Sequence, residues 1–152
     1  MTTIYSAESS LPTHLQELMA TFRQRQHEWI NNIDGDRLAS QHEEMTIYGP
    51  FGGPIRRAQD QLRQVQAIAR SQFKGGTGNI EFVSAIETGD ILVIVLYETS
   101  QVMFAGRDEP HLWGLRVTEV HQNIDGQWRK LHRHADPLQK MRPLNETLAL
   151  LE

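Results

Sequence analysis

The 152-residue chain contains no cysteine. Disulfide staples, thiolate metal centres and cysteine nucleophiles are excluded at once. Positive charge is not in excess either: 15 Lys and Arg stand against 19 Asp and Glu, a net charge of −4 with histidine neutral. That balance lacks the basic footprint of a nucleic-acid binder, and the short pairs Arg56-Arg57 and Arg129-Lys130 sit in mixed surroundings. The longest apolar run, ILVIVLY at 91–97, falls far short of a membrane span. The opening MTTIYSAESSLPTH shows no basic stretch followed by an apolar one, so no signal peptide is expected and the expected location is cytoplasmic. Repeats and low-complexity linkers are missing as well. What remains fits a single domain over 1–152, with a core at about 13–138 and a tail over 139–152.

The first eleven residues read as a loose arm. Pro12 and Thr13 open a helix in which Thr13 and Gln16 fit a capping box. Leu15, Leu18, Met19, Phe22, Trp29, Ile30 and Ile33 recur along one face, with a polar gap at Arg25 and Gln26. That gap is either where the helix crosses a cavity mouth or a solvated turn. Asp34-Gly35 ends the helix, and a short second one is expected over Asp36 to about His42. Residues 45–54, MTIYGPFGGP, read as a short strand entering a turn; its glycines lack the ending of a phosphate loop. Another helix is expected over 56–73, with Ala58, Leu62, Val65, Ile68, Ala69 and Phe73 on its apolar face and KGG (74–76) stopping it. Strands follow over 79–87, 91–106, 111–124 and 127–135. The last two join at Asp125-Gly126, a strong hairpin signal, and Pro137 ends the sheet. Asn145 can cap a short final helix bearing Leu148 and Leu151. Helices first and an antiparallel meander last is an α+β plan, with the helices on one face of a curved sheet.

The order helix, short helix, TIYGPFGG strand, helix and four-stranded meander resembles the nuclear-transport-factor-2-like, or cystatin-like cone, superfamily. The ending LRVTEVHQNIDGQWRKLHRHADPL (115–138) resembles its SnoaL-like, ketosteroid-isomerase-like branch. The shared marks are Asp125-Gly126, Trp128, His132 and His134, together with GDRLASQHEEMTIYGPFGG (35–53). The resemblance implies a cone-shaped, strongly curved, mostly antiparallel sheet with the N-terminal helices packed on its concave face. It also implies a small-molecule ligand in the cone, a homodimer through the outer sheet face, and no cofactor. The isomerase residues do not carry over. The oxyanion tyrosine falls near Glu28, the aspartate base on Gly49, and the second carboxyl on Thr118 or Glu119. A glycine cannot abstract a proton, so steroid isomerisation by that route is not expected.

The hairpin constrains the rest. A two-residue turn sets Asn123 opposite Trp128, His121 opposite Lys130, Glu119 opposite His132 and Val117 opposite His134, all on one face. The other face then carries Arg116, Thr118, Val120, Leu131, Arg133 and Ala135, and a bulge would exchange the two faces part-way. With the first face inward, Glu119 and His132 form a carboxylate–imidazole pair suited to acid/base catalysis, or else an interface ion pair. With the second inward, Arg116, Thr118 and Arg133 suit a carboxylate or enolate, unless the arginines pair with Glu98 or Glu87. His134 completes an H-x-H pattern that Asp136 could extend to a metal site, but Lys130 and Arg133 crowd it and no metal is expected. Glu98 interrupts an apolar strand, so it stands at a cavity mouth or beside an arginine. Trp29, Tyr48, Phe51, Phe104 and Trp113 are either pocket wall or core. The expected function is binding of a small apolar, carbonyl-bearing metabolite, with acid/base chemistry of isomerase, cyclase or dehydratase type. The alternative is a non-catalytic binding or assembly module.

Overall fold

Alternation of apolar and polar residues from position 73 to 136 becomes four long antiparallel strands: β4 (Phe73–Thr88), β5 (Ile91–Phe104), β6 (His111–Ile124) and β7 (Gln127–Asp136). The computed structural model describes residues 1–33, 41–57 and 59–152. Four more pieces complete the frame: β1 (Thr2–Tyr5), β2 (Gln41–Tyr48), β3 (Arg56–Arg57) and the helix α1 (Thr13–Ile30). Strand order is β1-β4-β5-β6-β7-β2-β3, antiparallel throughout except where β2 runs parallel to β7. The architecture is α+β, with α1 packed across the concave face of one curved sheet.

That packing follows from the apolar face of α1. Leu15, Leu18, Met19 and Phe22 are buried against Ile80, Ala85, Leu92, Ile94, Leu96, Leu115 and Val117. Each such side chain removed from water contributes about 1.5–3 kcal/mol. A second cluster, Ile30, Phe73 and Val102, closes the other end with Trp29, Phe104 and Trp113 against it. The hairpin turn forms as the sequence dictates: Asp125 and Gly126 take φ of 53° and 82°, the paired positive values that a tight I′ turn requires.

Several local expectations change. The N-terminal arm is not loose; Thr2–Tyr5 pairs with Ala85–Thr88 and covers the exposed edge of β4, with Tyr5 packed on the core. No side-chain cap opens α1. Pro12 holds the cap position, and Gln16 instead donates to the Leu11 carbonyl. The helix stops at Ile30, where the Asn31 amide nitrogen donates to the His27 and Gly76 carbonyls and its side-chain oxygen accepts from the Gly76 N–H. Asp34-Gly35 and most of the expected second helix lie outside the described residues, while Gln41 and His42 already belong to β2.

Arg56-Arg57 pairs with Ile47 and Thr46 rather than opening a helix, so the helix α2 spans Gln59–Gln72. Ala58 and the side chains of Leu62, Val65 and Ala69 lie outside the described residues. KGG does not end the segment either. It forms the first stretch of β4, in a bulge where Gly76 passes so close to Gln101 that a Cβ would lie 2.0 Å from the Gln101 carbonyl oxygen. The final helix, α3 (Leu144–Ala149), is capped by Pro143 rather than Asn145 and leaves Leu148 and Leu151 exposed.

Candidate ligand-binding site

The register of the last hairpin decides which side chains meet the concave face. Asn123 opposes Trp128 and His121 opposes Lys130, as an unbroken ladder requires. Between them and the next pair the strand takes up one extra residue. Val120 then opposes His132, Glu119 opposes Arg133, Thr118 opposes His134, Val117 opposes Ala135 and Arg116 opposes Asp136. The bulge falls at Leu131 and inverts the alternation beyond it. Neither face expected from regular pairing therefore exists. Lys130, Arg133 and Ala135 point inward with Val117, Glu119 and His121, while His132 and His134 point outward with Arg116, Thr118 and Val120.

Inside, α1 and the sheet enclose a cavity of about 280 Å³. One side is aromatic. Trp29 and Phe73 meet edge-on at 6.1 Å, Phe73 and Trp113 at 5.7 Å, and Phe51 lies 5.6 Å from Trp113. Phe104 stands behind this wall, against Phe73 and Trp113, and does not reach the lumen. Further along the same strands lies a charged cluster. Arg133 grips both oxygens of Glu98, at 2.9 Å each, and donates to Glu119 Oε2 at 3.0 Å. Glu119 Oε1 faces Lys130 Nζ at 3.0 Å and His121 Nε2 at 3.2 Å. Neither donor is well aligned, and Glu119 Oε1 and both ring nitrogens of the buried His121 have no hydrogen bond.

Electrostatics follow from that geometry. Burial alone would raise the Glu119 carboxyl, but Lys130, His121 and Arg133 together hold it well below the usual carboxylate range. Glu119 is therefore an acceptor at neutral pH and not an acid. Burial pushes the Lys130 ammonium down, against the pull of Glu119 and with help from Arg133 and Arg25. The Arg133 guanidinium stays fixed as a cation because Glu98 and Glu119 outweigh its burial.

Of the residues singled out in the sequence, Trp29, Phe51, Glu98, Glu119 and Arg133 line the cavity. Glu119 and His132 are not brought together; the bulge sets them on opposite faces. Tyr48, Arg116, Thr118, His132 and His134 are also outside. Tyr48 packs against both histidine rings, at 5.8 Å and 5.4 Å, and His132 Nδ1 lies 2.7 Å from the Thr46 hydroxyl. Burial and then the neighbouring His134 lower the His132 imidazole. Arg116 forks onto Asp136 at 2.8 and 3.0 Å, and Asp136 also accepts the Leu138 N–H, finishing the strand before Pro137. Among the described residues no three His, Asp or Glu side chains converge as metal ligands.

Sequence reasoning missed Lys130, Arg56, Gln41 and the buried His121. Alternation placed Lys130 and His121 on one face but gave no reason to prefer it. The polar gap in α1 was the available signal for Arg25 and Gln26: both line the cavity, and Gln26 donates to Ser100 Oγ and the Asn79 carbonyl. Gly49 also lines it, so the isomerase base position is occupied by a residue with no side chain.

The fold is the cystatin-like cone, and solved structures with it resemble this chain at low identity. An uncharacterised cystatin-like protein from Caulobacter vibrioides shares 18% identity at a TM-score of 0.60, over 91% of this chain and 96% of its own. The CaMKII hub homology domain of Chlamydomonas reinhardtii shares 16% at 0.67, over 84% and 100%. A candidate scytalone dehydratase from Novosphingobium aromaticivorans shares 10% at 0.64, over 84% and 93%. No protein-family profile matches the chain, and no curated protein sequence matches it.

Proposed function

We propose that this protein binds a small apolar, carbonyl-bearing metabolite in the cone. One observation carries the reading: a cavity of about 280 Å³ is lined both by aromatic rings and by a cluster of charged side chains. Apolar walls with a few converging polar groups are the general form of a small-molecule site. The cone fold shared with a candidate scytalone dehydratase is compatible with catalysis on such a ligand. Acid/base chemistry in this cavity falls to Lys130, whose pKa burial lowers against the pull of Glu119; Glu119 is held ionised, and His132 faces away. A thermal-shift screen of ketones, acids and amides tests the reading. Ligand at 100 times its Kd stabilises by about 2.7 kcal/mol, a shift of several degrees. Ile47→Trp, which fills the cavity, abolishes genuine shifts; shifts that survive it, or none at all, refute the proposal.

A second reading, assembly through the outer sheet face, has its own support. Tyr97, Ile86 and Ile4 leave 39%, 37% and 69% of their surface exposed there. The cone fold shared with two CaMKII hub structures supports an assembly role. We propose a homodimer through it, and light scattering of the wild type and Tyr97→Glu decides: a monomeric wild type sinks the idea.

A further inference from the structure

The charges that line the cavity do not cancel. Among the described residues, Arg25, Arg56, Lys130 and Arg133 face it, against Glu98 and Glu119 alone. The chain as a whole is acidic, at −4, so this surplus is local and not the reflection of a basic protein. Two of the four cations are spoken for. Arg133 spends its guanidinium on Glu98 and Glu119, and Lys130 lies 3.0 Å from Glu119.

Arg25 is different. It sits on α1 three residues after Phe22 and four before Trp29, the spacing that puts all three on one helix face, and all three line the cavity. No hydrogen bond or ion pair holds its guanidinium among the described residues; Glu119 and Glu28 act on it only through space. Burial lowers its pKa, the mark of a partly desolvated cation short of a counter-charge. A partly buried guanidinium without a partner is costly, and a planar anion that it can grip with two N–H groups relieves that cost.

We infer that the ligand is an organic carboxylate whose charged end meets Arg25 and whose apolar body lies against Trp29, Phe73 and Trp113. This rests on the cavity reading above and narrows its ligand class. A phosphate fits less well: the lumen is small and mostly apolar, and a carboxylate places one charge in a flat head matched to a guanidinium.

Calorimetric titration with 3-phenylpropanoate, its amide and the corresponding amine tests the inference, with longer and shorter homologues of each. The variants are Arg25→Met, Arg25→Lys and Arg56→Met. Because Arg25 holds no partner, Arg25→Met should keep the fold, which circular dichroism and the melting temperature check. The acid is expected to bind at least about tenfold tighter than the amide, and the amine not at all. Arg25→Met should weaken the acid by about 10- to 100-fold, leave the amide unchanged, and be partly restored in Arg25→Lys. Equal binding of acid and amide overturns the carboxylate while leaving the cavity reading intact. An unchanged acid affinity in Arg25→Met overturns the role of Arg25, all the more if Arg56→Met abolishes binding instead. Failure of every homologue to bind overturns both readings.

Discussion

Replacing Arg133 with methionine removes one guanidinium, strands the Glu98 carboxylate and takes one of its cationic partners from Glu119. Glu98 loses both of its hydrogen bonds, at 2.9 Å each, and Glu119 loses the one to Oε2. The side chains are 17%, 16% and 3% exposed for Arg133, Glu98 and Glu119, so water cannot fully take the place of the guanidinium. Breaking a buried pair by removing one partner costs about 3–5 kcal/mol, because the survivor remains as a buried charge. At about 2–4 °C per kcal/mol for a chain of this size, the melting temperature falls by about 6–20 °C. Urea unfolding followed by tryptophan fluorescence, with three tryptophans in the chain, measures the difference directly. The double variant Arg133→Met/Glu98→Leu tests the cause. It removes the stranded charge and should regain about 1 kcal/mol or more over Arg133→Met alone, since Lys130 still faces Glu119. A loss below about 1 kcal/mol in the single variant, the size expected of an exposed pair, would refute the reasoning. So would strict additivity of the two substitutions.

Gly76→Ala should be among the most damaging small substitutions in the chain. Its φ of 152° disfavours any side chain, and the new Cβ would lie 2.0 Å from the Gln101 backbone oxygen, so a loss above about 2 kcal/mol is expected by urea unfolding; a loss under 0.5 kcal/mol, or none, contradicts the close approach. His132 has an imidazole lowered from 6.5 by burial and by His134. The unfolded chain takes up that proton more readily than the folded one, so stability falls as pH drops through about 6.5 toward the lower folded value. Melting curves of His132→Gln across that window should be flatter than wild type; identical curves would show that other groups carry the effect.

The elements that could be read in the sequence are those whose signal is local. The apolar stripe of α1, the Asp125-Gly126 turn and the alternating strands each advertise themselves within a few residues. β1 was hidden because an edge strand is made by its partner, here Ala85–Thr88 far along the chain, and TTIY has no distinguishing pattern. KGG misled because glycine serves a strand bulge as well as a helix stop, and only the neighbouring backbone at Gln101 decides between them. In the cavity, cost alone put Glu98 either at a cavity mouth or beside an arginine, and it is held by Arg133. The pairing of Glu119 was not legible. It depends on an extra residue at Leu131, and nothing in KLHRH marks which position is unpaired.

That extra residue makes β7 tolerant in an unusual way. Deleting one residue inside a strand normally turns every later side chain over. Here Leu131 is the one residue without a cross-strand partner, so its removal would let His132 follow Lys130 directly opposite Val120, with Arg133 still facing Glu119. Loss of any neighbour would instead leave the slack to be taken up by the ladder. The same slack means that counting outward from the Asp-Gly turn, when cone proteins are compared by sequence, assigns lumen roles to outward side chains in any chain whose bulge is overlooked. The inner surface of this cone is set by the length of the last strand as much as by its letters.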